Sequence, residues 1–527
     1  MKRPNFILFI TDQQRADFLG CYGHPVLRTP NIDALAARGT AFDRFYVASP
    51  VCMSNRASLM TGRMPSSHQV RSNGIPLALR FVTFVELLRA AGYATALVGK
   101  SHLQNFTAQP PILKEAAPRA GDVPPPPELA QAQRHDLADA VYRQEQPDFW
   151  KAADAGVRTP FYGIDHVELV TGHGDGPGGD YARWLLAREP NARNLIGPEN
   201  ALPSDYTCPQ AVRTALPPEL YSSAYIAERA SEYLRRRANA PFFLMVSFPD
   251  PHHPFNPPGR YWDLYDPGDF PVPEAFRRND WTPPPHVAEA IAAREQGRAN
   301  LSGMSTLAVT AREAQEAQAL TAGMIACIDD AVGAVMGALG ESGDADDTAV
   351  LFTSDHGDHL GDHRLLLKGA EQYQAILRVP FIWCEPQEAG ARRTDALAST
   401  IDIPATILDR ARVAPYAGMQ GRSLLPAIAG EGESVRDTVL VQFESQRPLM
   451  QDTGPARVHS LIDERWRLSL YHGVDWGELY DLRDDPGEFV NLWDAPSHAA
   501  VKAQLMERLA RAQIEHTDRV PLPTGLA

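Results

Sequence analysis

Positive charge is scarce in this chain. Fifty Lys and Arg stand against 65 Asp and Glu, giving a formal charge of −15 over 527 residues, which argues against a nucleic-acid partner. Cysteine is scarce too. The five (Cys21, Cys52, Cys208, Cys327 and Cys384) are odd in number and widely scattered, which argues against a disulfide framework and suits a reducing compartment. No apolar stretch approaches membrane-spanning length, so no membrane partner is expected. The one early apolar run, Asn5 to Ile10, is short, lacks a small-residue cleavage site and leads directly into Thr11 and Asp12. It reads as a strand and not as a signal peptide, and the expected location is cytoplasmic. Internal repeats and low-complexity tracts are also missing.

What the chain does have is alternation. Phe6 to Ile10, Ala94 to Val98, Phe242 to Phe248, Thr348 to Thr353 and Val379 to Trp383 read as buried strands. Between them lie helical segments. One starts at Thr29-Pro30 and ends at Gly39; another runs from a Thr83/Glu86 capping box to Ala91 before Gly92. Others cover Ser223 to about Arg237, Ala311 to Leu339 and the region of Ile403 to Leu408. The pattern predicts an α/β fold with a large, mostly parallel sheet flanked by helices. Pro110 to Pro127 and Pro267 to Pro285 read as surface excursions. From about Ser434 the texture shifts to short antiparallel strands (Val439 to Phe443, Val458 to Ile462, Trp466 to Tyr471) and a helix over Ser497 to Ala512. The expected division is a catalytic domain over 1–430 and a smaller α+β domain over 431–527.

The reactive residues follow a positional rule. Asp12 follows the first strand, Lys100 and His102 the second, His252 the third, and Asp355 with His356 the fourth. Open α/β sheets bind ligands beyond the carboxyl ends of their strands. Each residue alone also reads as an ordinary turn residue; the coincidence is what points to a site. The run Ser354 to His363 is dense in carboxylate and imidazole, which suits a divalent cation, and imidazole favours manganese, zinc or iron over calcium. Cys52 precedes a short helix ended by Gly62, and Arg56, one turn on, is expected to point back toward it. A buried structural cysteine is the alternative at that position.

These motifs resemble the sulfatase family within the alkaline phosphatase superfamily. The likeness runs from Asn5–Asp12 through Cys52–Gly62, Gly99–His102, Pro251–Pro254 and Ser354–Gly357 to Leu479–Leu492. The resemblance implies an alkaline-phosphatase-like fold and a formylglycine made from Cys52, whose hydrate is the nucleophile. It implies one divalent cation (manganese, calcium or zinc) on Asp12, the modified Cys52, Asp355 and His356. Arg56 would hold the hydrate and Asp355 would help to deprotonate it. Lys100, His102, His252 and Lys368 would clamp the substrate oxygens. His252 with Lys368 would protonate the leaving alcohol, and His102 would be the base of the second step.

Four positions depart from the usual pattern. Ser54 and Asn55 stand where the family motif has Pro and commonly Ser; Gln13 stands where many sulfatases have Asp; His356 stands where calcium-dependent sulfatases have Asn. Gln13 and His356 resemble the phosphonate monoester hydrolase branch, and Asn73 resembles a substrate-contacting Asn of that branch, whereas Lys100 and His102 resemble sulfatases; Asn73 also reads as loop packing. The reading favours a small-molecule sulfate monoester over a phosphonate monoester or phosphodiester, with a non-catalytic, metal-stabilised binding protein as the third option. His173, Asp180 and Tyr181 read either as a leaving-group pocket or as a Gly-rich loop. His68 reads as a contact near the substrate or as packing, and His359 and His363 as structural. The Pro-containing end, Arg519 to Ala527, leaves a homo-oligomer open.

Overall fold

The computed structural model describes the chain except residues 1–2, 108, 110–118, 120, 127–128, 135, 138, 153, 238–239, 387–389, 432–433 and 526–527. The expected excursion over Pro110 to Pro127 therefore lies largely outside the described residues. At the centre is a nine-stranded sheet. In chain order its strands are β1 (Asn5–Thr11), β2 (Thr40–Phe42), β3 (Ala94–Gly99), β4 (His166–Thr171), β5 (Gly178–Gly179), β6 (Phe242–Ser247), β7 (Thr348–Ser354), β8 (Phe381–Cys384) and β9 (Arg392–Thr394). The spatial order is β9-β2-β8-β7-β1-β6-β3-β4-β5.

Strands β7, β1, β6, β3 and β4 form a parallel block. Strand β8 departs from the parallel expectation, pairing antiparallel with both β7 and β2. The segment joining β7 to β8 contains one four-residue helix, Gln374–Leu377, and has no crossover helix long enough to return the chain to the starting edge. The sheet is thus mixed, with a parallel core.

The block is buried on both faces, which is why its strands read as continuous apolar runs. The helices used here are α1 (Pro30–Ala36), α2 (Cys52–Thr61), α3 (Phe84–Ala90), α4 (Ser222–Arg236), α5 (Ala311–Ser342), α6 (Asp402–Ala411) and α7 (Ala499–Glu515). Ile7, Phe9, Leu244, Val246 and Phe352 pack with Ile226 of α4 and Leu320 and Ile325 of α5. Phe6, Leu8, Phe243, Met245 and Leu351 pack on the other side with Met53 of α2, Leu88 of α3 and Ile407 of α6. Successive side chains of each strand go to opposite faces.

Two expectations about helices are corrected. By length and composition α5 is apolar enough to cross a membrane, contrary to the absence of any such stretch read from the sequence. However, 72% of its apolar window is buried, which is what a core helix between a sheet and α4 requires. Helix α1 ends at Ala36, before Gly39, and Thr29 makes no side-chain cap. Instead Asp329 of α5 accepts from the backbone N–H of Asn31 and Ile32 at 3.1 and 2.8 Å. Gly39 serves packing: a Cβ there would lie 2.5 Å from the carbonyl oxygen of Trp383. The Thr83/Glu86 capping box is present on α3.

The C-terminal sheet has four antiparallel strands in sequential order: β10 (Val439–Pro448), β11 (Pro455–Ile462), β12 (Trp466–Tyr471) and β13 (Gly477–Asp481). Leu440, Leu461, Leu468 and Leu479 pack against Leu505 and Leu509 of α7, and Ala48, Met64 and Ile401 share that cluster. On the opposite face Phe443, Val458 and Tyr471 pack with Val51, the residue before Cys52. The second sheet is thereby tied to the loop that carries Cys52. Strand β10 runs five residues past the expected Phe443, with its register against β11 shifting between Glu444 and Pro448.

Candidate active site

The strand ends are flush. Thr11 pairs with Ser354, Ile10 with Ser247, and Ser247 with Gly99, so the residues that follow β1, β7, β6 and β3 emerge side by side. Gly99 makes the approach possible. Its φ is +112° and a Cβ would sit 1.8 Å from the Ser247 carbonyl oxygen, to which Lys100 donates its backbone N–H at 2.9 Å.

Asp12, Cys52, Asp355 and His356 converge there, each offering one ligand atom within 4.8 Å of the others, and all are buried. Cys52 Sγ lies 3.1 Å from His356 Nε2 and 3.8 Å from Asp12 Oδ1. His356 Nε2 is 3.4 Å from Asp12 Oδ1 and 3.5 Å from Asp355 Oδ1. His356 Nδ1 lies 3.0 Å from the carbonyl oxygen of Gly357, which puts the proton on Nδ1 and leaves the Nε2 lone pair facing the cluster. Burial keeps this imidazole neutral, pushing it down to about 4. Burial also pushes the Cys52 thiol up to about 11, with the Asp12 charge adding to the effect. Burial works against ionisation of Asp12, yet Lys100, His252 and His173 together hold its carboxyl well below the usual range. Two carboxylates, a sulfur and an imidazole nitrogen facing one another in a buried site form a donor set that fits a divalent cation.

Arg56 has a different first partner from the one expected. Its Nε donates to Asp355 Oδ2 at 2.7 Å and its Nη1 to Lys100 O at 3.1 Å and Ser247 Oγ at 2.9 Å, while Nη2 is buried without a partner. The guanidinium braces the carboxylate, and no hydrogen bond joins it to Cys52. Lys100 Nζ donates to Asp12 and approaches His173 Nε2 at 2.8 Å. Lys368 Nζ donates to Gln13 Oε1 at 2.5 Å. His252 stacks on His173 with centroids 3.6 Å apart, and its Nδ1 faces the His253 carbonyl oxygen at 2.5 Å. His102 adopts a positive φ of 56° and stacks on Phe106 at 3.9 Å. Burial, helped by Lys100 and His173, holds it well below its ordinary value. Asn73 Oδ1 accepts the backbone N–H of Met53 at 3.1 Å and so caps α2. Cys52, Asn73, His102, His252 and Lys368 all border one cavity of about 970 Å³.

Four positions were not recognised in the sequence as parts of the site. His173, which the sequence allows as pocket or loop, lines the cavity and touches Lys100 and Asp12. Its companions are structural, since Asp180 accepts from Leu169 N and Tyr181 donates to Leu220 O. Glu145 is buried and accepts three backbone N–H groups, from His102, Leu103 and Gln104, at 2.8 to 3.1 Å. Burial pushes its carboxyl up to about 7 against those donors. Asn55, noticed only as a departure from a motif, accepts from Ala48 N at 3.0 Å and donates to Asp355 O at 2.6 Å, joining the cysteine loop to the cation cluster. Gln13 bridges instead of ligating: its oxygen takes Lys368 and its nitrogen donates to Asp358 at 2.5 Å. His68 is packing, bound to Ser58 at 2.9 Å. His359 and His363 are buried outside the cluster.

Comparison with known proteins gives a consistent set of likenesses. Residues 4–413 match the family model described as Sulfatase, and residues 361–515 match that described as N-sulphoglucosamine sulphohydrolase, C-terminal. A multifunctional alkaline phosphatase superfamily protein of Trinickia caryophylli is 28% identical over 549 residues, covering 98% of this chain and 97% of the relative. An arylsulfatase of Clostridium perfringens is 26% identical over 496 residues, covering 93% and 90%. The structure of a phosphonate monoester hydrolase of Agrobacterium radiobacter superposes with a TM-score of 0.76 at 26% identity, covering 100% of this chain and 98% of the other.

Proposed function

The chain belongs to the sulfatase family, and we propose that it is a cation-dependent hydrolase of sulfate monoesters whose nucleophile is made from Cys52. The observation that supports this most is the buried set Asp12, Cys52, Asp355 and His356 at the floor of a cavity bordered by His102, His252 and Lys368. A divalent cation on those four residues would act as a Lewis acid toward an ester oxygen, and formylglycine at position 52 would supply the attacking hydroxyl. The remaining chemistry is in the chain's own side chains. Arg56 fixes Asp355 through Oδ2, which leaves Oδ1 turned to the cluster. Lys100 and Lys368 bring ammonium groups to the floor, where peripheral oxygens of the ester carry charge. His252 has Nδ1 committed to a carbonyl, so Nε2 is the atom available to give a proton to the leaving oxygen. An anionic ester beside it raises its basicity. His102, kept neutral by burial, is able to take a proton in the second step. Five unpaired thiols support the cytoplasmic setting that belongs to the same proposal.

A second reading, hydrolysis of phosphonate monoesters or phosphodiesters, is favoured by a specific observation. Gln13 does not offer its side-chain oxygen to the cluster, and His356 does offer a nitrogen. Turnover of an aryl sulfate, a phenylphosphonate monoester and a phosphodiester by one cation-loaded sample decides between them. Intact mass tests the nucleophile, because conversion of the thiol to an aldehyde lowers the mass of the encoded chain. Full-length protein from its native host with an unmodified Cys52 and no turnover of any of the three would leave the non-catalytic reading standing.

A further inference from the structure

Arg447 takes no part in the chemistry above, yet it borders the same cavity. It arrives on the extension of β10 beyond Glu444, where pairing with β11 slips. Other guanidiniums in and near the C-terminal sheet are matched: Arg71 and Arg457 pair with Glu444, and Arg467 with Glu478 and Glu488. Arg447 is half-buried, and among the described residues its side chain has neither a hydrogen bond nor an ion pair. Burial pushes its guanidinium below the ordinary value, with no carboxylate to offset the effect. The carboxylates of Asp12 and Asp355 lie buried beneath the cavity, and among the described residues no Asp or Glu borders it directly, in a chain with 15 more acidic than basic residues. Phe106, held by its stacking on His102, and Met304 give the same cavity apolar lining.

A planar fork of donors partly removed from water and without an acceptor is costly to keep. The acceptor that suits its geometry is a carboxylate, bound through two parallel N–H···O bonds. We propose that Arg447 binds a carboxylate on the leaving alcohol, so that the preferred substrate is an ester of a hydroxy acid whose hydrocarbon body lies against Phe106 and Met304. This rests on reading the cavity as the ester site. Arg447 is then a specificity residue, remote from the reacting atoms, and acts on binding of the organic part.

The test compares the phenyl and 3-carboxyphenyl esters of whichever acid group the full-length, cation-loaded enzyme turns over. The readout is the ratio of their kcat/KM values in wild type, Arg447→Met and Arg447→Lys. Comparing ratios between proteins cancels the different acidities of the two leaving groups. Wild type is expected to favour the carboxylated ester, and Arg447→Met to reduce that preference about tenfold, mostly through KM, as for loss of a hydrogen-bonded charge. Arg447→Lys keeps the charge without the fork and is expected to fall between. A wild-type ratio near one, or a preference that survives Arg447→Met, overturns the proposal. Calorimetric binding of 3-hydroxybenzoate against phenol, with the same variants, needs no turnover. If neither ester is cleaved the proposed activity fails, and this arm still decides Arg447: a gain for the carboxylate lost in Arg447→Met supports the assignment, and equal binding of the two probes sinks it.

Discussion

The floor of the cavity and its rim are built by different rules. On the floor, Asp12, Lys100, His252, Asp355 and His356 leave adjacent parallel strands whose ends are in register, and nearly every polar atom is braced by a second residue. At the rim, Phe106 and Met304 come from loops and Arg447 from the irregular end of a strand in the other sheet, with little bracing. A sheet edge holds a constellation rigidly, and irregular chain can vary without disturbing it. On the proposed reading the floor carries the chemistry and the rim selects the ester.

The comparison breaks most visibly at the floor. Replacing Cys52 with Ala is expected to lower turnover by about three orders of magnitude or more, as for loss of a nucleophile; kinetics on protein whose intact mass is known checks it, and retained activity would refute the role. Chelation comes next. Without a cation the buried carboxylates of Asp12 and Asp355 have only Lys100 and Arg56 to offset their charge, so activity is expected to fall to background and the melting temperature to drop, with manganese or zinc restoring both better than calcium. Titration of stripped protein with each ion, followed by calorimetry and turnover, reads this out.

A third prediction sharpens the boundary between the regions. Glu145 holds the loop of His102 from beneath, and its folded-state carboxyl is raised to about 7 from an ordinary 4.5. A raised carboxyl contributes stability that is complete below the unfolded value and is lost as pH rises through the folded one. Melting temperature at saturating cation should thus decline from about pH 5 to pH 8 in wild type. In Glu145→Gln, which cannot ionise, part of that decline should vanish, and turnover should fall because His102 is less firmly placed. A variant with an unaltered pH profile would count against this role. The effect at Arg447, about tenfold in a preference, is smaller. Smallest is Asn73→Ala, which removes the cap on Met53 N–H and should cost about 1 kcal/mol of stability in denaturant melts.

Much of the floor was legible from the chain because continuous apolar runs can only be buried strands, and the polar residue that ends each must emerge where the strand does. Residues without such a pattern were not. Glu145 lies in a polar stretch of no periodicity, and its partners are the backbone of residues 102–104. His173 looked like a loop because Gly172 and Gly174 surround it. Arg447 was missed because Glu444 to Arg447 break the alternation expected of a half-buried strand, although the backbone there continues as β10.

By itself the sequence determined the parallel core, the edge at which Asp12, Lys100, His102, His252, Asp355 and His356 gather, and the helix that begins at Cys52. All of these follow from local periodicity and from the cost of leaving apolar surface in water. Only the tertiary structure decided that Arg56 braces Asp355, that Asn55 ties the cysteine loop to the cation cluster, and that an arginine from a second sheet looks into the cavity. Those pairings join residues up to several hundred positions apart. Which donor meets which acceptor there is set by how the two sheets pack, and no spacing along the chain records it.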